Sequence, residues 1–313
     1  MVGLSLAVEL SNKMKLSIAI IDPNDCNRSI SKTFHSRVSA ITPTSKDFLN
    51  SINVWDEIQR KNGFVATKVW DQNSHGHLNF HAKEEGIENL GYIVENDLIQ
   101  SALFDSIDQS KVTIIKASLG MLSKSDLGYK VELDNDETLS CKLLIGADGA
   151  QSKVRTLVNI DVKEHDYHQK AIVANISTEK SLMQTTWQRF LSDSILAILP
   201  LSDNEASIVW SCQDSLANSL ESLDDNEFNK RLSDASEYHF GPLKLQSSRS
   251  YFPIVSRSAN DYVLQSLALV GDAAHNIHPL AGQGVNLGFL DVMELSKQLQ
   301  NNYQVPLGDF LVL

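Results

Sequence analysis

The sequence predicts an α/β fold in which a three-layer, Rossmann-like nucleotide-binding domain is interrupted by an inserted substrate domain built on an antiparallel sheet. Three observations predict it. Helical and β-branched segments alternate at both ends of the 313-residue chain. Candidate strands crowd its middle, from Lys170 to Cys212. Two glycine-rich turns each follow a short apolar strand. A nucleotide domain that the chain leaves and re-enters accounts for all three.

Composition restricts the class of protein. The hydrophobic share is 42% and the charged share 21%, as in ordinary globular domains. The formal net charge is −12 and there is no block of lysine or arginine, so we expect no nucleic-acid partner. The three cysteines are far apart, which disfavours a disulfide framework and fits a reducing, cytoplasmic location. No apolar run reaches the roughly 20 residues that a bilayer-spanning helix needs.

The first segment has the pattern of half a βαβ unit. Apolar side chains recur at helical spacing through Val2–Met14, and Leu16–Asp22 is a β-branched run that ends in an acid. In dinucleotide-binding folds, glycines form the first strand-to-helix turn, and an acid about 20 residues later accepts from ribose hydroxyls. Gly3 can be the last glycine of such a motif, and Asp22 lies at the matching distance. A generic helix–strand pair explains this segment equally well.

The elements that follow define the domain boundaries. Helices are predicted at Thr44–Arg60, Glu95–Ile107, Asp224–Phe240 and Gly284–Leu299. Strands are predicted within Phe64–Ala82 and at Lys111–Ala117, Tyr129–Leu133, Leu143–Ile145, Ala171–Ile176, Thr185–Leu191, Ile195–Leu201, Ala206–Cys212 and Leu267–Val270. We therefore predict a nucleotide-binding domain at residues 1–60, 95–160 and 262–313, and a substrate domain at residues 61–94 and 161–261.

The segment Leu144–Arg155 contains the first candidate binding loop. A strand enters a turn with Gly146 and Gly149, and Ser152 can cap the helix that follows. Gly149 permits close backbone approach or a positive φ. The carboxylate of Asp148 can contact a nucleotide or order the loop. By spacing alone, a plain glycine-rich turn is the alternative.

The segment Leu267–Gly288 contains the second candidate loop. A buried strand ends at Gly271, so Asp272 projects from the carboxyl edge of the sheet, where α/β folds bind ligands. Small residues in the next loop allow a flat ring to lie against backbone amides. The helix N-terminus after it supplies N–H donors and partial positive charge. The candidate residues of this loop and helix are Pro279, Gly282, Gln283, Gly284 and Asn286.

Histidines in two places have spacings that a metal site could use. His275 and His278 are three residues apart without a third ligand nearby. His75, His77 and His81 alternate along a strand-like stretch, but no carboxylate or cysteine is close in sequence. Because metal sites need a fuller ligand set, we expect no metal.

Together, the two glycine-rich segments resemble the motifs of a known enzyme family. Gly146–Gly149 followed by Ser152 and Arg155 is similar to the second nucleotide-contact motif of the group A flavoprotein monooxygenases. Gly271–His275 followed by Pro279–Gly284 is similar to their ribityl-binding motif. The order and separation of the two motifs also match the family.

A closer resemblance is to the ubiquinone-biosynthesis hydroxylases, and within them to the ring-C5 2-polyprenylphenol hydroxylase branch. The segments that carry it are Arg37–Pro43, Val54–Asp56, Ile93–Asn96 with Gln100, Trp187–Phe190, Ala197–Leu201, Ser207–Ser211 and His278–Gly288. The resemblance implies FAD and NAD(P)H as cofactors, and hydroxylation of the aromatic ring of a polyprenylated phenol with O₂. Because the cofactor supplies the chemistry, it implies no catalytic side chain of the Ser-His-Asp or paired-carboxylate kind.

The resemblance also assigns roles by position. Gly3 and Asp22 would serve the ADP half of FAD, and Arg37 and Gln100 its ribose–pyrophosphate region. Asp148 would order the side of the site that faces the flavin and the pyridine nucleotide. Asp272 would bind the ribityl chain. Pro279, Gly282, Gln283 and Gly284 would line the flavin ring. Gly149, Gly271 and Asn286 complete the predicted cofactor site.

Departures from the family lead to further expectations. The family's first strand and first two glycines have no counterpart before Met1, and the region after the last helix is short, so we expect weaker FAD binding than in an intact relative. A truncated, non-catalytic remnant or scaffold is one alternative. A hydroxylase of a small soluble aromatic acid is another, and it would need a cationic side chain in the pocket. A polyprenyl tail instead needs an apolar tunnel, and it implies association with the inner face of the membrane or with a biosynthetic complex.

Overall fold

The structure, a computed structural model, describes residues 1–24, 31, 33–73, 76–278, 282, 284–302 and 310–312. Its α-helices within these residues are α1 (Val2–Lys13), α2 (Pro43–Ser51), α3 (Asn96–Asp105), α4 (Lys153–Leu157), α5 (Asp214–Glu221), α6 (Asp225–Ala235) and α7 (Gly284–Asn302). Short 3-10 turns lie at Trp55–Glu57 and Gly271–Ala273.

The β-strands of the described residues are numbered along the chain. They are β1 (Ser17–Ile21), β2 (Val38–Ile41), β3 (Asn62–Phe64), β4 (Ala66–Asp71), β5 (His77–His81), β6 (Gly91–Glu95), β7 (Val112–Ile115), β8 (Leu119–Ser125), β9 (Gly128–Leu133), β10 (Thr138–Cys141), β11 (Leu143–Gly146), β12 (Val162–Ser177), β13 (Thr185–Phe190), β14 (Ser194–Pro200), β15 (Glu205–Gln213), β16 (Lys244–Leu245), β17 (Ser250–Ala259), β18 (Val263–Leu264), β19 (Leu267–Leu269), β20 (His275–Asn276) and β21 (Phe310–Val312).

A mostly parallel sheet forms the middle of three layers. Over the described residues its strand order is β18-β19-β11-β21-β1-β7. Helix α1 packs against α3 and α7 on one face. On the other face lies the small antiparallel sheet β10-β9-β8. The alternation of side chains along β11 explains the layering: Leu143 and Ile145 join the core beneath the helices, whereas Leu144 packs with Val131 of β9. The predicted three-layer nucleotide-binding domain is confirmed.

The inserted domain is built on a large sheet with the order β20-β17-β12-β15-β14-β13-β4-β5 among the described strands. All its neighbours are antiparallel except β13 and β4. One face is covered by α5 and α6, whose Leu220 and Phe228 pack with Ile172 and Trp210 of the sheet. Because side chains alternate along each strand, Val173 and Val209 point to the opposite face. The predicted antiparallel insertion is confirmed.

A third small sheet, β2-β6-β3, combines strands from both parts of the chain. Strand β2 comes from the segment predicted for the nucleotide-binding domain, and β3 from the segment predicted for the substrate domain. Strand β6 pairs with both in antiparallel fashion. The sheet therefore bridges the two segments, and the boundaries proposed from the sequence stay a prediction.

Two predicted helices are shorter in the structure. The segment Thr44–Arg60 was expected to be one helix, but α2 ends at Ser51 because Asn53 has a φ of 59°, which an α-helix cannot contain. Likewise α6 ends at Ala235, before the positive φ angles of Glu237 and Tyr238. Local hydrophobic spacing does not reveal such breaks. Among the described residues, no helix has the length and apolar character needed to cross a bilayer.

Candidate functional site

A cleft of about 560 Å³ lies where the carboxyl ends of the parallel strands face the large antiparallel sheet. One wall is formed by the ends of β11 and β19 and by the starts of α1 and α7. The other wall is formed by the open face of β12, β15 and β17, with Val173, Val209 and Ile254 among its residues. The first wall, called the glycine wall below, therefore presents glycines and helix N-termini. The second, the apolar wall, presents mainly apolar side chains.

The structure brings six of the predicted site residues together around this cleft. They are Arg37, Gly149, Gly271, Asp272, Gly282 and Gly284. Five other predicted residues do not belong to its lining: Gly3, Asp22, Gln100, Asp148 and Asn286. The predicted residues Pro279 and Gln283 lie outside the described residues.

The turn Gly271–Ala273 is shaped by close packing against α1 and α7. Gly271 has a φ of 60°, and a Cβ built on it would lie 3.1 Å from Cγ2 of Val2. A Cβ on Gly288 of α7 would lie only 2.5 Å from the same atom. Glycine at both positions lets the starts of the two helices converge on the turn. The backbone N–H groups at the two helix starts then lie near one region, where the helix dipoles favour an anionic or electron-rich ligand.

Asp272 follows Gly271 and projects into the cleft. Surrounding protein raises the pKa of its carboxyl group by desolvation, while His275, Asn276 and Arg37 act in the opposite direction. The side chain is nevertheless accessible to water because the cleft is open. In its charged form this carboxylate can accept hydrogen bonds from the hydroxyl groups of a polyol chain.

Asp291 of α7 fixes this turn from behind. Its Oδ2 atom accepts a 2.7 Å hydrogen bond from the Gly271 backbone N–H. The same atom lies 2.8 Å from Nε2 of His275. Hydrogen bonding to Asp291 is the main reason that the pKa of His275 is raised. Sequence reasoning missed Asp291, although Gly284, Gly288 and Asp291 share one helical face.

The second glycine-rich segment is tied to the same turn. Asp148 accepts hydrogen bonds from the backbone N–H groups of Lys153 and Val154, at 2.7 and 3.0 Å, so its carboxylate orders the loop and caps α4. Arg155 is buried and donates to the carbonyl oxygens of Ala273 and Ala150, at 2.8 and 2.9 Å. The guanidinium group therefore joins the two predicted motifs directly.

The remaining predicted residues have mainly architectural contacts. A Cβ on Gly3 would lie 3.1 Å from Cβ of Ala147, so this glycine allows α1 to approach β11. Asp22 follows β1 and accepts from the backbone N–H of Asn24 at 2.9 Å. Gln100 lies in α3 and is half-buried.

Asn286 joins α7 to the end of β2 and to the residue that follows it. Its side-chain amide donates to the Ala40 carbonyl at 2.8 Å, and its oxygen accepts from the Thr42 backbone N–H at 3.0 Å. The contact brings β2, and with it Arg37, towards the start of α7. Arg37 lies over the ring of Phe252, with its guanidinium carbon 5.3 Å from the ring centroid.

The glycines test whether the cleft fits a bulky planar cofactor. A Cβ built on Gly149 or Gly284 would meet no atom within 4 Å, so both face open space. Gly149 also has a φ of 83°, which favours glycine for conformational reasons as well. Open glycines beside helix N-termini and a carboxylate are the donors, acceptor and clearance that a flavin dinucleotide needs. The residues present therefore fit FAD.

Comparison with known sequences agrees with this geometry. A family model described as FAD binding domain matches residues 2–305. The 3-demethoxyubiquinol 3-hydroxylase of Escherichia coli (strain K12) is 37% identical over 269 residues, which cover 85% of this chain and 68% of that protein. The mitochondrial ubiquinone biosynthesis monooxygenase COQ6 of Homo sapiens is 33% identical over 351 residues, covering 96% of this chain and 75% of that protein.

Solved structures show the same fold at lower sequence identity. PqsL of P. aeruginosa, in complex with 2-aminobenzoylacetate, superposes with a TM-score of 0.81 at 20% identity, over 98% of this chain and 86% of that one. The 2-methyl-3-hydroxypyridine-5-carboxylic acid oxygenase superposes with a TM-score of 0.74 at 16% identity, over 96% and 80%. These two proteins therefore share the overall fold of this chain.

Proposed function

This chain belongs to the FAD-binding family of flavoprotein monooxygenases, and from that premise we propose that it hydroxylates the aromatic ring of a polyprenylated phenol in ubiquinone biosynthesis, with NAD(P)H and O₂. The two-sided cleft supports this proposal most strongly. Its glycine wall suits the cofactor, and its apolar wall, with Val173, Val209 and Ile254, suits a hydrophobic aromatic substrate. Two relatives with more than 30% identity over most of the chain are named for ubiquinone biosynthesis or for a ubiquinol substrate.

The residues of the glycine wall would hold the cofactor in a defined pose. Asp272 would accept from the ribityl hydroxyls, and the starts of α1 and α7 would direct N–H groups at the phosphates and the ring. Arg37 would neutralise phosphate charge from the opposite side. Gly149, Gly271, Gly282 and Gly284 would leave clearance for the cofactor. When bound and reduced by NAD(P)H, FAD would supply the activation of O₂, from which the oxygen atom added to the ring would come.

The apolar wall would position the substrate and exclude water. Side chains of β12, β15 and β17 offer no strong hydrogen-bond donor at Val173, Val209 and Ile254, so ring binding there would depend on shape and burial. A water-poor surface protects a reactive oxygen donor from unproductive breakdown. The proposal includes peripheral association with the membrane or with a biosynthetic complex, since a polyprenylated substrate resides in lipid.

A small soluble aromatic acid is a second candidate substrate because two arginines line the cleft, Arg37 and Arg257. A substrate carboxylate would need one of them. Arg257 already pairs with Glu164, with Nε 2.7 Å from Oε2. Arg37 lies over Phe252 and near Asp272. Both cations therefore have partners, which favours the polyprenylphenol.

The test begins with reconstitution of the purified chain with FAD, followed by gel filtration and flavin absorbance. NAD(P)H consumption and product formation are then compared with a polyprenylphenol and with soluble aromatic acids. The proposal expects acceleration and a hydroxylated product with the polyprenylphenol. Product from soluble acids only would transfer the assignment to the second candidate. A chain that folds yet never retains FAD would favour a non-catalytic role.

Changing Asp272 to Asn tests separately whether the glycine wall binds the cofactor. The amide keeps the size of the side chain but loses the charge, and charge-assisted hydrogen bonds contribute about 1.5–3 kcal/mol each. We expect FAD affinity to fall by about 10-fold to 100-fold, measured by quenching of flavin fluorescence. Asp126→Asn is the matched control because Asp126 is exposed in the turn between β8 and β9, outside the cleft lining. Equal effects of the two changes would contradict the role of Asp272.

A further inference from the structure

Strand β5 forms one edge of the large antiparallel sheet. It pairs with β4 over five residues, from His77 opposite Trp70 to His81 opposite Ala66, without a register shift. Its other edge pairs with no strand among the described residues. Edge strands usually carry lysine, proline or a bulge that prevents pairing with another molecule. The sequence of β5, His-Leu-Asn-Phe-His, contains neither lysine nor proline, and its pairing with β4 shows no bulge.

Two large apolar side chains on this strand are turned to solvent. Leu78 is 58% exposed and Phe80 is 51% exposed. They lie on the same face of the sheet because residues two apart in a strand point the same way. An exposed apolar pair on an unprotected edge is a feature of interaction surfaces.

The order of residues in β5 suits pairing with a second copy of the same strand. The strand reads nearly the same in both directions, with Asn79 at its centre. If a second β5 pairs antiparallel about Asn79, His77 faces His81, Leu78 faces Phe80, and Asn79 faces its own copy. Directly opposed residues share a face, so apolar side chains meet apolar ones and polar side chains meet polar ones. A two-fold interface requires this kind of self-complementarity.

We propose that two copies of this chain associate through antiparallel pairing of their β5 strands, joining the two large sheets into one continuous sheet. The nearest cation on the neighbouring strand, Lys68, lies over the Trp187 ring at 4.7 Å, so its charge has a partner within its own copy. A contact of five residues per copy is below the size of a stable interface, which usually buries at least about 1,200 Å². The dimer is therefore weak and depends on protein concentration.

The position of β5 leaves the catalytic cleft free. The cleft wall is formed by β12, β15 and β17, whereas β5 is at the far end of the strand order, beyond β14, β13 and β4. Pairing at β5 extends the sheet away from the cleft. The association can therefore be tested without any assumption about cofactor or substrate.

Cross-linking at the two-fold axis tests the register. The change Asn79→Cys places two thiols opposite each other, within the Cβ separation that an antiparallel pair offers to a disulfide. We expect a covalent dimer under mild oxidation, with the linkage located by peptide mass spectrometry. Leu127→Cys is the matched control because Leu127 is 72% exposed but belongs to the turn between β8 and β9. Equal dimer yields from both variants, or none from Asn79→Cys, would overturn the proposal.

A second variant tests the same pairing independently, in case Asn79→Cys does not fold. Phe80→Lys places a charge on the edge and opposes it to Leu78 of the other copy. Sedimentation over a range of concentrations should show the unmodified chain forming dimers and Phe80→Lys remaining monomeric, while both keep the same near-ultraviolet circular dichroism. A parent chain that is monomeric throughout, or a folded Phe80→Lys chain that still dimerises equally, would refute pairing through β5.

Discussion

Asp291 shows how a single carboxylate outside the cleft can hold part of the glycine wall in position. It binds both the Gly271 backbone and the His275 ring. In Asp291→Asn the amide oxygen can still accept from Gly271, but the charge that stabilises protonated His275 is lost. We expect the free energy of unfolding to fall by about 1–2 kcal/mol near pH 6, because a hydrogen bond to a charged group contributes about that much where water partly screens it. Chemical denaturation measures the change.

The loss in Asp291→Asn should depend on pH in one direction. The pKa of His275 is raised in the folded chain above its unfolded value of about 6.5. The contribution of the charged pair is therefore fully present below about pH 6.5 and is lost as the pH rises through the raised pKa. The stability difference between the two proteins should shrink towards pH 9. A difference that grows with pH would show that His275 is not the partner that matters.

Two glycines on α7 have different roles. One would leave room for the cofactor, and the other allows close helix packing. Gly284 faces open space, whereas a Cβ on Gly288 would press on Val2. We expect Gly284→Ala to leave the melting temperature of the FAD-free chain nearly unchanged but to weaken FAD binding. Gly288→Ala should lower that melting temperature, with a loss of about 1–3 kcal/mol from overpacking. Differential scanning fluorimetry and flavin titration on both variants give the comparison, and a swapped pattern would contradict it.

Single residues were predictable where the backbone pattern reveals their place. Gly149, Gly271 and Asp272 follow short apolar strands, so a sequence argument alone puts them at the carboxyl edge of a sheet. Asp291 gives no such signal, because its partners are 20 and 16 residues earlier and are brought close only by the fold. Resemblance to the family placed Arg37 at the cofactor site, and in the structure Arg37 lines the cleft.

At the scale of elements, Arg155 couples α4 to the turn that presents Asp272. Its two hydrogen bonds are to main-chain carbonyl groups in different segments. Arg155→Met keeps much of the apolar stem but leaves the Ala273 and Ala150 carbonyls without this donor. We expect a loss of about 2–3 kcal/mol of stability and weaker FAD retention after gel filtration. Arg231→Met, on α6 away from the cleft, is the control that should change neither.

Element types were easier to predict than element limits. Strand β11 is buried on both faces, with Leu143 and Leu144 in different core clusters, and the sequence shows this as a short, continuous apolar run. The break after α2 is not visible, because it depends on the left-handed backbone of Asn53. Helix α5 was not predicted at all, since it is only eight residues long and has just three apolar positions, Leu216, Ala217 and Leu220.

At the scale of the whole molecule, the central parallel sheet depends on pairing between distant parts of the chain. Strand β21 lies between β1 and β11, with Ile18 paired to Leu311 and Leu143 paired to the same residue. Leu311→Pro removes a backbone donor at the middle of the sheet, where proline is not tolerated. We expect a loss of at least about 2 kcal/mol in stability. Val263→Pro, on the edge strand β18, should cost less, and equal losses would argue against a central β21.

The fold class was predictable because each layer has its own local periodicity. The pairing of β21 was not, because no local pattern indicates which strands a three-residue segment will join. Contacts over such sequence separations are also associated with slow folding, since a long loop must close before the pairing stabilises anything.

Gly271 and Gly288 lie close to Val2, so the starts of α1 and α7 are tightly packed against each other. Because even a Cβ at either glycine would press on Val2, the starts of α1 and α7 cannot approach the turn more closely, and tight packing sets their positions. Affinity for a well-matched ligand then comes largely from preorganisation, because little conformational entropy remains to be lost on binding. Slightly larger analogues should be rejected outright and not accommodated by adjustment.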